Sequence, residues 1–242
     1  RDEIARSIGT ASMGGERAVA AWDEDSLTMG VEAGLDCLSG IDPMQVDGLY
    51  FASVSSPFRE KQAAALMASA LDLRKDAYTS DFAGSLRAGT LAVKAAADAV
   101  QAGSMKRVLV IAADARKAGP RSDAEQTYGD GAMALLVGGE GAAIAEIEDF
   151  ATVVDALPGP WRREHDAHPK VFDVRLDTRY GVLKDIPQAV GNLMKKHSLQ
   201  AKDISKFALY APEARSHAGL AGPLKADAKT QMQDLLFRSI GV

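Results

Sequence analysis

DFAGSLRAGTLAVKAAADAVQAGSMKRVLVIAAD, residues 81–114, is the stretch on which the fold turns. Its opening sets Ser85 and Arg87 between Gly84 and Gly89, ahead of a long run of small residues. A turn of this kind, entering a helix, is where a nucleophile would stand. Residues 89–103 are mostly Ala, Leu, Val and Lys, which predicts a helix able to pack closely on every side and so placed inside the domain. RVLVIAAD follows as a continuous apolar run and reads as a buried strand of an α/β layer.

The pattern extends in both directions. Residues 25–38 carry Leu27, Val31, Leu35 and Leu38 at helical spacing. VDGLYFASV, residues 46–54, reads as a strand ending in the polar loop SSPFRE. Residues 61–71 form an alanine-rich helix, and AYTSDF is a short strand leading into the turn. Beyond residue 114, DGAMALLVGG (130–139) reads as another core strand, and residues 142–156 alternate imperfectly, as an antiparallel pair or one bent strand. Residues 158–181 are polar, aromatic and proline-bearing, an excursion rather than a core element. Residues 184–197 are helical; a turn, short helix, strand and loop follow to residue 215, and residues 224–239 form a last helix. This strand–helix–strand rhythm predicts a layered α/β protein with a mixed sheet.

Bulk properties narrow the function classes. The 242 residues, 47% hydrophobic, suffice for one large core or two small ones. A net charge of -5 disfavours a nonspecific nucleic-acid surface. One cysteine, Cys37, permits no intrachain disulfide and no thiolate cluster for iron or zinc, so a cytoplasmic home is the expectation. No apolar run reaches the roughly 20 residues of a membrane span. The charged start, RDEIARSIG, reads as helical and not as a signal peptide.

Candidate chemistry is sparse. Ser85 is not in a nucleophile elbow, because SLRAG places only one glycine correctly. A serine also needs a positioned base, and His165, His168, His197 and His217 have no spacing that proves contact. A turn or helix-capping serine is the plainer reading, although its hydroxyl or nearby N–H groups could bind a ligand oxygen. HDAH offers His165 and His168, but Pro169 and the lack of a third ligand argue against a metal. Arg162, Arg163, Lys170, Arg175 and Arg179 make a basic patch that is either a solvated loop or a contact for a phosphate-bearing ligand; Arg215 is a further cationic candidate. Tyr128 and Asp130 are candidates to line a pocket. No glycine-rich segment meets a nucleotide motif.

In their order, these segments resemble the thiolase superfamily, and within it the 3-hydroxy-3-methylglutaryl-CoA synthase branch. LYFASVSSPF resembles the strand and loop that carry a catalytic glutamate. DFAGSLRAGT resembles the nucleophile turn, and EQTYGDGAMALLVG the following glycine-rich strand. PGPWRRE with HPKVFD is similar to the branch's tryptophan–arginine excursion. DISKFALYAPEAR resembles the strand that ends on a catalytic histidine.

The resemblance implies a layered α-β-α-β-α fold, of which residues 1–156 would be the first half and residues 157–242 the excursion and the start of an incomplete second half. It implies a CoA thioester as substrate or ligand, with no covalently bound cofactor. It implies a cysteine nucleophile five positions after Asp81, which is Leu86 here; Val54 stands at the glutamate position and Tyr210 at the histidine position. Leucine and valine can be neither nucleophile, acid nor base, and a tyrosine of ordinary pKa near 10 is a poor unaided base.

Three outcomes follow from those substitutions. One is an acyl-CoA-binding, synthase-like protein lacking the usual chemistry of an acyltransferase. Another is a noncatalytic subunit. The third is a cysteine-independent aldol-type lyase acting on 3-hydroxyacyl-CoA, with Tyr210 or Tyr128 as acid or base. The resemblance further implies a homodimer or a thiolase-like heteromer, with a zinc-ribbon and OB-fold protein as a possible partner.

Overall fold

The computed structural model describes every residue except Ala142 and Leu235. In chain order the helices and strands are α1 (Asp2–Ile8), α2 (Ser26–Cys37), β1 (Gly48–Ala52), α3 (Ala63–Ala70), β2 (Tyr78–Phe82), α4 (Ala88–Gln101), β3 (Arg107–Asp114), α5 (Ala124–Thr127), β4 (Gly131–Gly138), α6 (Val174–Asp177), α7 (Leu183–Lys196), α8 (Ala214–Gly219) and α9 (Ala221–Leu224). They fall into two compact units. One comprises Ala18–Arg116 and Gly129–Ile147, the other Arg1–Arg17, Lys117–Tyr128 and Glu148–Val242.

The first unit is a four-stranded mixed sheet of order β2-β1-β3-β4. β1 runs parallel to β2 and to β3, and β4 runs antiparallel to β3. Side chains alternate across the pleat. Leu49, Phe51, Leu109 and Ile111 therefore face one way, into a core with α3 residues Ala63, Ala64 and Met67 and with α2. Tyr50, Ala52, Val108 and Val110 face the other way, onto α4.

Local chemistry starts and seats α2. The Asp25 carboxylate accepts from the N–H groups of Leu27 and Thr28, while the Asp25 N–H donates to the Thr28 hydroxyl at 2.9 Å. Glycines then allow close approach. A methyl group at Gly30 would lie 2.7 Å from Met67 Cε, and one at Gly34 would lie 2.8 Å from Leu71 Cδ1.

Two expectations for this unit need correction. α4 does not pack on every side: Ala88, Ala92 and Ala96 form one buried stripe at a spacing of four, while Leu91 on another side is exposed. Small residues let that one face lie close to the sheet. β4 is an edge strand and not a core strand. Ala134 and Leu136 pack on the α2–α3 side, but Met133 and Leu135 on the opposite face stay exposed.

The second unit has its own core of Phe207, Leu220, Ala221, Leu224 and Met232, against which α7 lays Leu183, Ile186, Val190 and Met194. Those positions recur every three to four residues, one helical stripe. A π-type turn at Thr178–Val182 joins α6 to α7, and Pro187 sits within α7. The proline removes a backbone donor, and an irregular turn just upstream is where such a helix departs from regularity.

Here, too, the expected elements differ. Residues 143–156 form no strand; Ala142 lies outside the described residues. Asp149 instead pairs with Lys196 at 2.5 Å and Asp155 with Lys184 at 2.7 Å, at opposite ends of α7. The last helix expected over 224–239 is absent apart from the turn Leu236–Arg238, with Leu235 outside the described residues. Asp227 accepts from the N–H groups of Lys229 and Thr230, which makes a turn, and Met232 then bridges Phe207. That bridge is all that stands where a strand was expected before Tyr210.

The same unit closes around Gln126. This fully buried side chain donates to the Ala11 carbonyl and the Thr10 hydroxyl and accepts from the Met13 N–H. The Arg1 guanidinium donates to the carbonyls of Gln126, Gly14 and Phe237 and covers the Phe237 ring.

Candidate functional site

The ends of β1 and β3 come together on a single carboxylate oxygen. Asp114 Oδ1 accepts from the Ser53 hydroxyl at 3.0 Å, the Val54 N–H at 2.8 Å and the Ser55 hydroxyl at 2.7 Å. Ser55 Oγ in turn accepts from the Ala115 N–H at 2.8 Å, and the fully buried Ser26 donates to the Ser55 carbonyl. The loop carrying Val54 is therefore fixed by its backbone and by its serines. Val54 itself is half-buried and brings no ionisable group to this end of the sheet.

A second carboxylate organises the strand leading to the turn. Asp81, in β2, accepts from the N–H groups of Ala63 and Ala64 at 2.8 Å each, capping α3 from outside. The chain then passes through Gly84 at φ 76, a left-handed conformation that glycine adopts without penalty. Ser85 Oγ accepts from the Arg87 N–H at 3.2 Å, and the Ser85 carbonyl accepts from the Ala88 N–H at 3.0 Å. Leu86 is 45% exposed at the head of α4.

Cys37 lies elsewhere. It ends α2 and packs against the core on the α2–α3 face, whereas α4 covers the opposite face. Burial pushes its thiol pKa up, only partly offset by a backbone hydrogen bond at Leu136. The only thiol of the chain is thus on the wrong side of the sheet to act at the Leu86 turn.

Asp130, in the first unit, accepts from the Ala20 N–H at 2.9 Å. The remaining candidates belong to the second unit. Tyr210 is 51% exposed and Tyr128 8% exposed. The Tyr128 carbonyl accepts from Arg17. Arg162 and Arg163 lie in a loop closed by paired backbone hydrogen bonds between Trp161 and Lys170. The Lys170 ammonium is held by Asp166 at 2.5 Å, and Arg215 is exposed on α8. His165 is exposed in that loop, and His168 is half-buried, its Nδ1 without a hydrogen-bond partner among the described residues. His197 pairs with Asp149 at 2.7 Å. His217 is buried, its Nε2 has no hydrogen-bond partner among the described residues, and burial lowers its pKa. Among the described residues no group of three or more His, Cys, Asp or Glu side chains could hold a metal ion. No described helix is long and apolar enough to cross a membrane.

Sequence reasoning had Ser85, Leu86 and Val54 in view but missed the carboxylate hub. Alternating serines at 53 and 55, together with an aspartate ending a buried strand, were the available signal.

The fold has solved counterparts. A 3-oxoacyl-(acyl carrier protein) synthase III from Pseudomonas aeruginosa superposes with a TM-score of 0.83 at 18% identity, over 99% of this chain and 78% of that one. An HMG-CoA synthase crystallised with CoA superposes with a TM-score of 0.82 at 21% identity, over 92% of this chain and 59% of that one. No family model matches the sequence. The hydroxymethylglutaryl-CoA synthase of Thermococcus gammatolerans, however, is 30% identical over 244 residues, 99% of this chain and 69% of that protein. This chain belongs to the hydroxymethylglutaryl-CoA synthase family.

Its architecture is the thiolase-like one expected: a mixed sheet with α2 and α3 on one face and α4 on the other. Within this hydroxymethylglutaryl-CoA synthase relative, the side chains presented after β1 and at the head of α4 are Val54 and Leu86.

Proposed function

We propose that this member of the hydroxymethylglutaryl-CoA synthase family binds a CoA thioester without forming a thiol-linked acyl intermediate. The observation that carries this reading is the exposed Leu86 at the head of α4, with Cys37 on the opposite face of the sheet. Acyl transfer to an enzyme needs an activated nucleophile. Leu86 offers none, Val54 offers no acid, and the Ser85 hydroxyl oxygen is engaged by the Arg87 N–H.

CoA is the ligand of choice because a structurally similar HMG-CoA synthase was crystallised with it. Its phosphates would meet cations, with Arg162, Arg163 and Arg215 as contacts; Lys170 would have to leave Asp166 to join them. Residues 1–156 and 157–242 are, on this reading, the first half and the start of the second half of the family's architecture, in a cytoplasmic protein.

Catalysis without a thiol would take the form of aldol-type cleavage of a 3-hydroxyacyl-CoA. Exposure favours Tyr210 over the buried Tyr128 as its acid or base. A supporting subunit is the second reading. It is favoured by the outer edges of β2 and β4, which pair with no strand among the described residues, and by the exposed Tyr78, Met133 and Leu135 beside them. The partner would be a second copy, a thiolase-like chain or a zinc-ribbon and OB-fold protein.

The test is incubation with acetyl-CoA radiolabelled in its acetyl group. Calorimetry should show binding, and acid-quenched protein should retain no label. Covalently retained label, or no CoA binding, would overturn the proposal.

A further inference from the structure

Lys202 and Lys225, both exposed, border a half-open cavity of about 440 Å³ in the second unit, lined further by Met194, Leu224, Gln200 and Ala201. That volume lies within the range of roughly 300–1,000 Å³ typical of small-molecule sites. Met194 and Leu224 give it an apolar floor continuous with the core of this unit. Neither ammonium has an ion-pair or hydrogen-bond partner among the described residues. The acids closest in sequence are already engaged: Asp203 accepts from the Gln200 N–H, and Asp227 accepts from the N–H groups of Lys229 and Thr230.

The backbone around the cavity points the same way. α9 ends at it in a left-handed residue that is not glycine, Lys225 at φ 54, and α7, which supplies Met194, is followed by another, Ser198 at φ 56. Such a conformation is disfavoured for a residue with a Cβ, and glycine is the usual occupant of this position after a helix. A lysine there costs backbone ease and sets a cation on the cavity's lining. Several helix-end carbonyls nearby are occupied. Met194 accepts from the Leu199 N–H at 2.8 Å, Ala221 from the Ala226 N–H at 3.0 Å and Gly222 from the Lys225 N–H at 3.0 Å.

We infer that this cavity binds a small amphipathic anion, a medium-chain carboxylate whose tail lies on Met194 and Leu224 and whose head sits between Lys202 and Lys225. The site lies within the second unit and does not depend on the function proposed for the Leu86 turn.

Octanoate is the probe, titrated calorimetrically into the full chain, with octanol and inorganic phosphate as comparisons. Octanol lacks the charge and phosphate lacks the apolar body, so octanoate should bind at least about tenfold tighter than either, the factor expected for one additional substantial contact. The Lys202→Ala/Lys225→Gly double variant should weaken octanoate binding by about tenfold or more and leave octanol unaffected. Glycine suits φ 54, so the variant retains its fold, and its thermal transition is recorded as the control. Equal affinity for octanoate and octanol, or an unchanged octanoate affinity in the double variant, overturns the assignment. Should that variant fail to fold, Lys202→Gln alone gives the same reading, with a loss of affinity supporting the site and an unchanged affinity overturning it.

Discussion

Val54 and Asp114 stand 60 residues apart and are joined by a hydrogen bond of 2.8 Å from the Val54 N–H to Asp114 Oδ1. The same oxygen holds the hydroxyls of Ser53 and Ser55. Asp114→Ala would leave three donors without their acceptor, one of them on a side chain only 3% exposed. The expected cost is about 2–4 kcal/mol in urea unfolding, because an orphaned buried donor forfeits its full solvation. Asp114→Asn retains an acceptor oxygen and should cost less than half as much. Equal losses for the two variants would mean that a neutral acceptor oxygen of the same shape does not hold the hub.

Leu86 and Cys37 predict a contrast in alkylation. Cys37 is half-buried with a raised pKa, so wild-type protein should react slowly with iodoacetamide at neutral pH. Leu86→Cys places a thiol on an exposed turn at the start of a 14-residue helix, where the positive end of the helix dipole favours the thiolate. Peptide mapping should find residue 86 modified on the order of tenfold faster than Cys37. Similar rates would show that residue 86 is not presented as described.

These contrasts bear on how much the sequence could reveal. β3 was readable to the residue because a buried strand needs an unbroken apolar run, and RVLVIAAD is one. α2 was readable because four apolar residues repeat at helical spacing. The tail at 224–239 shows the same periodicity but is not a helix, since the Asp227 turn and the Met232–Phe207 bridge satisfy its backbone instead. Burial of α4 was overstated because a run of alanine specifies close packing without saying on how many sides. The turn that carries Leu86 could be placed from Gly84 and the small-residue helix after it, while its reading as the nucleophile position rests on the family resemblance. The Asp114 hub left only the trace of two alternating serines and a strand-ending aspartate, because it joins groups about 60 residues apart and no periodicity encodes such a contact.

His217 predicts an acid-side loss of stability. Burial lowers its pKa below the ordinary 6.5, partly opposed by Asp234, and its Nε2 has no hydrogen-bond partner among the described residues to reward protonation. As pH falls, the unfolded chain binds the proton first. The stabilising contribution is therefore complete above about pH 6.5 and is lost as pH drops from there through the folded-state pKa. His217→Leu should flatten the dependence of unfolding free energy on pH over roughly pH 7 to 5, before most carboxylates titrate. An unchanged slope in that variant would assign the dependence to other groups.

Gln126 makes the most demanding prediction for the second unit. Its side chain is fully buried and serves Met13, Ala11 and Thr10, residues more than 100 positions away in sequence. Gln126→Leu preserves most of the volume but strands the Met13 N–H and the Ala11 carbonyl, so it should cost about 2–4 kcal/mol. Gln126→Glu keeps an acceptor for Met13, yet it buries a carboxylate that faces the Ala11 carbonyl and should cost more. The Arg1 guanidinium contacts the backbone carbonyl of residue 126, not its side chain, so that anchor survives in both variants and the loss isolates the amide. Urea unfolding ranks the three proteins. A Leu variant within about 0.5 kcal/mol of wild type would mean that residues 10–13 find other partners, because a surface-like tolerance of that size is not expected at a satisfied buried amide.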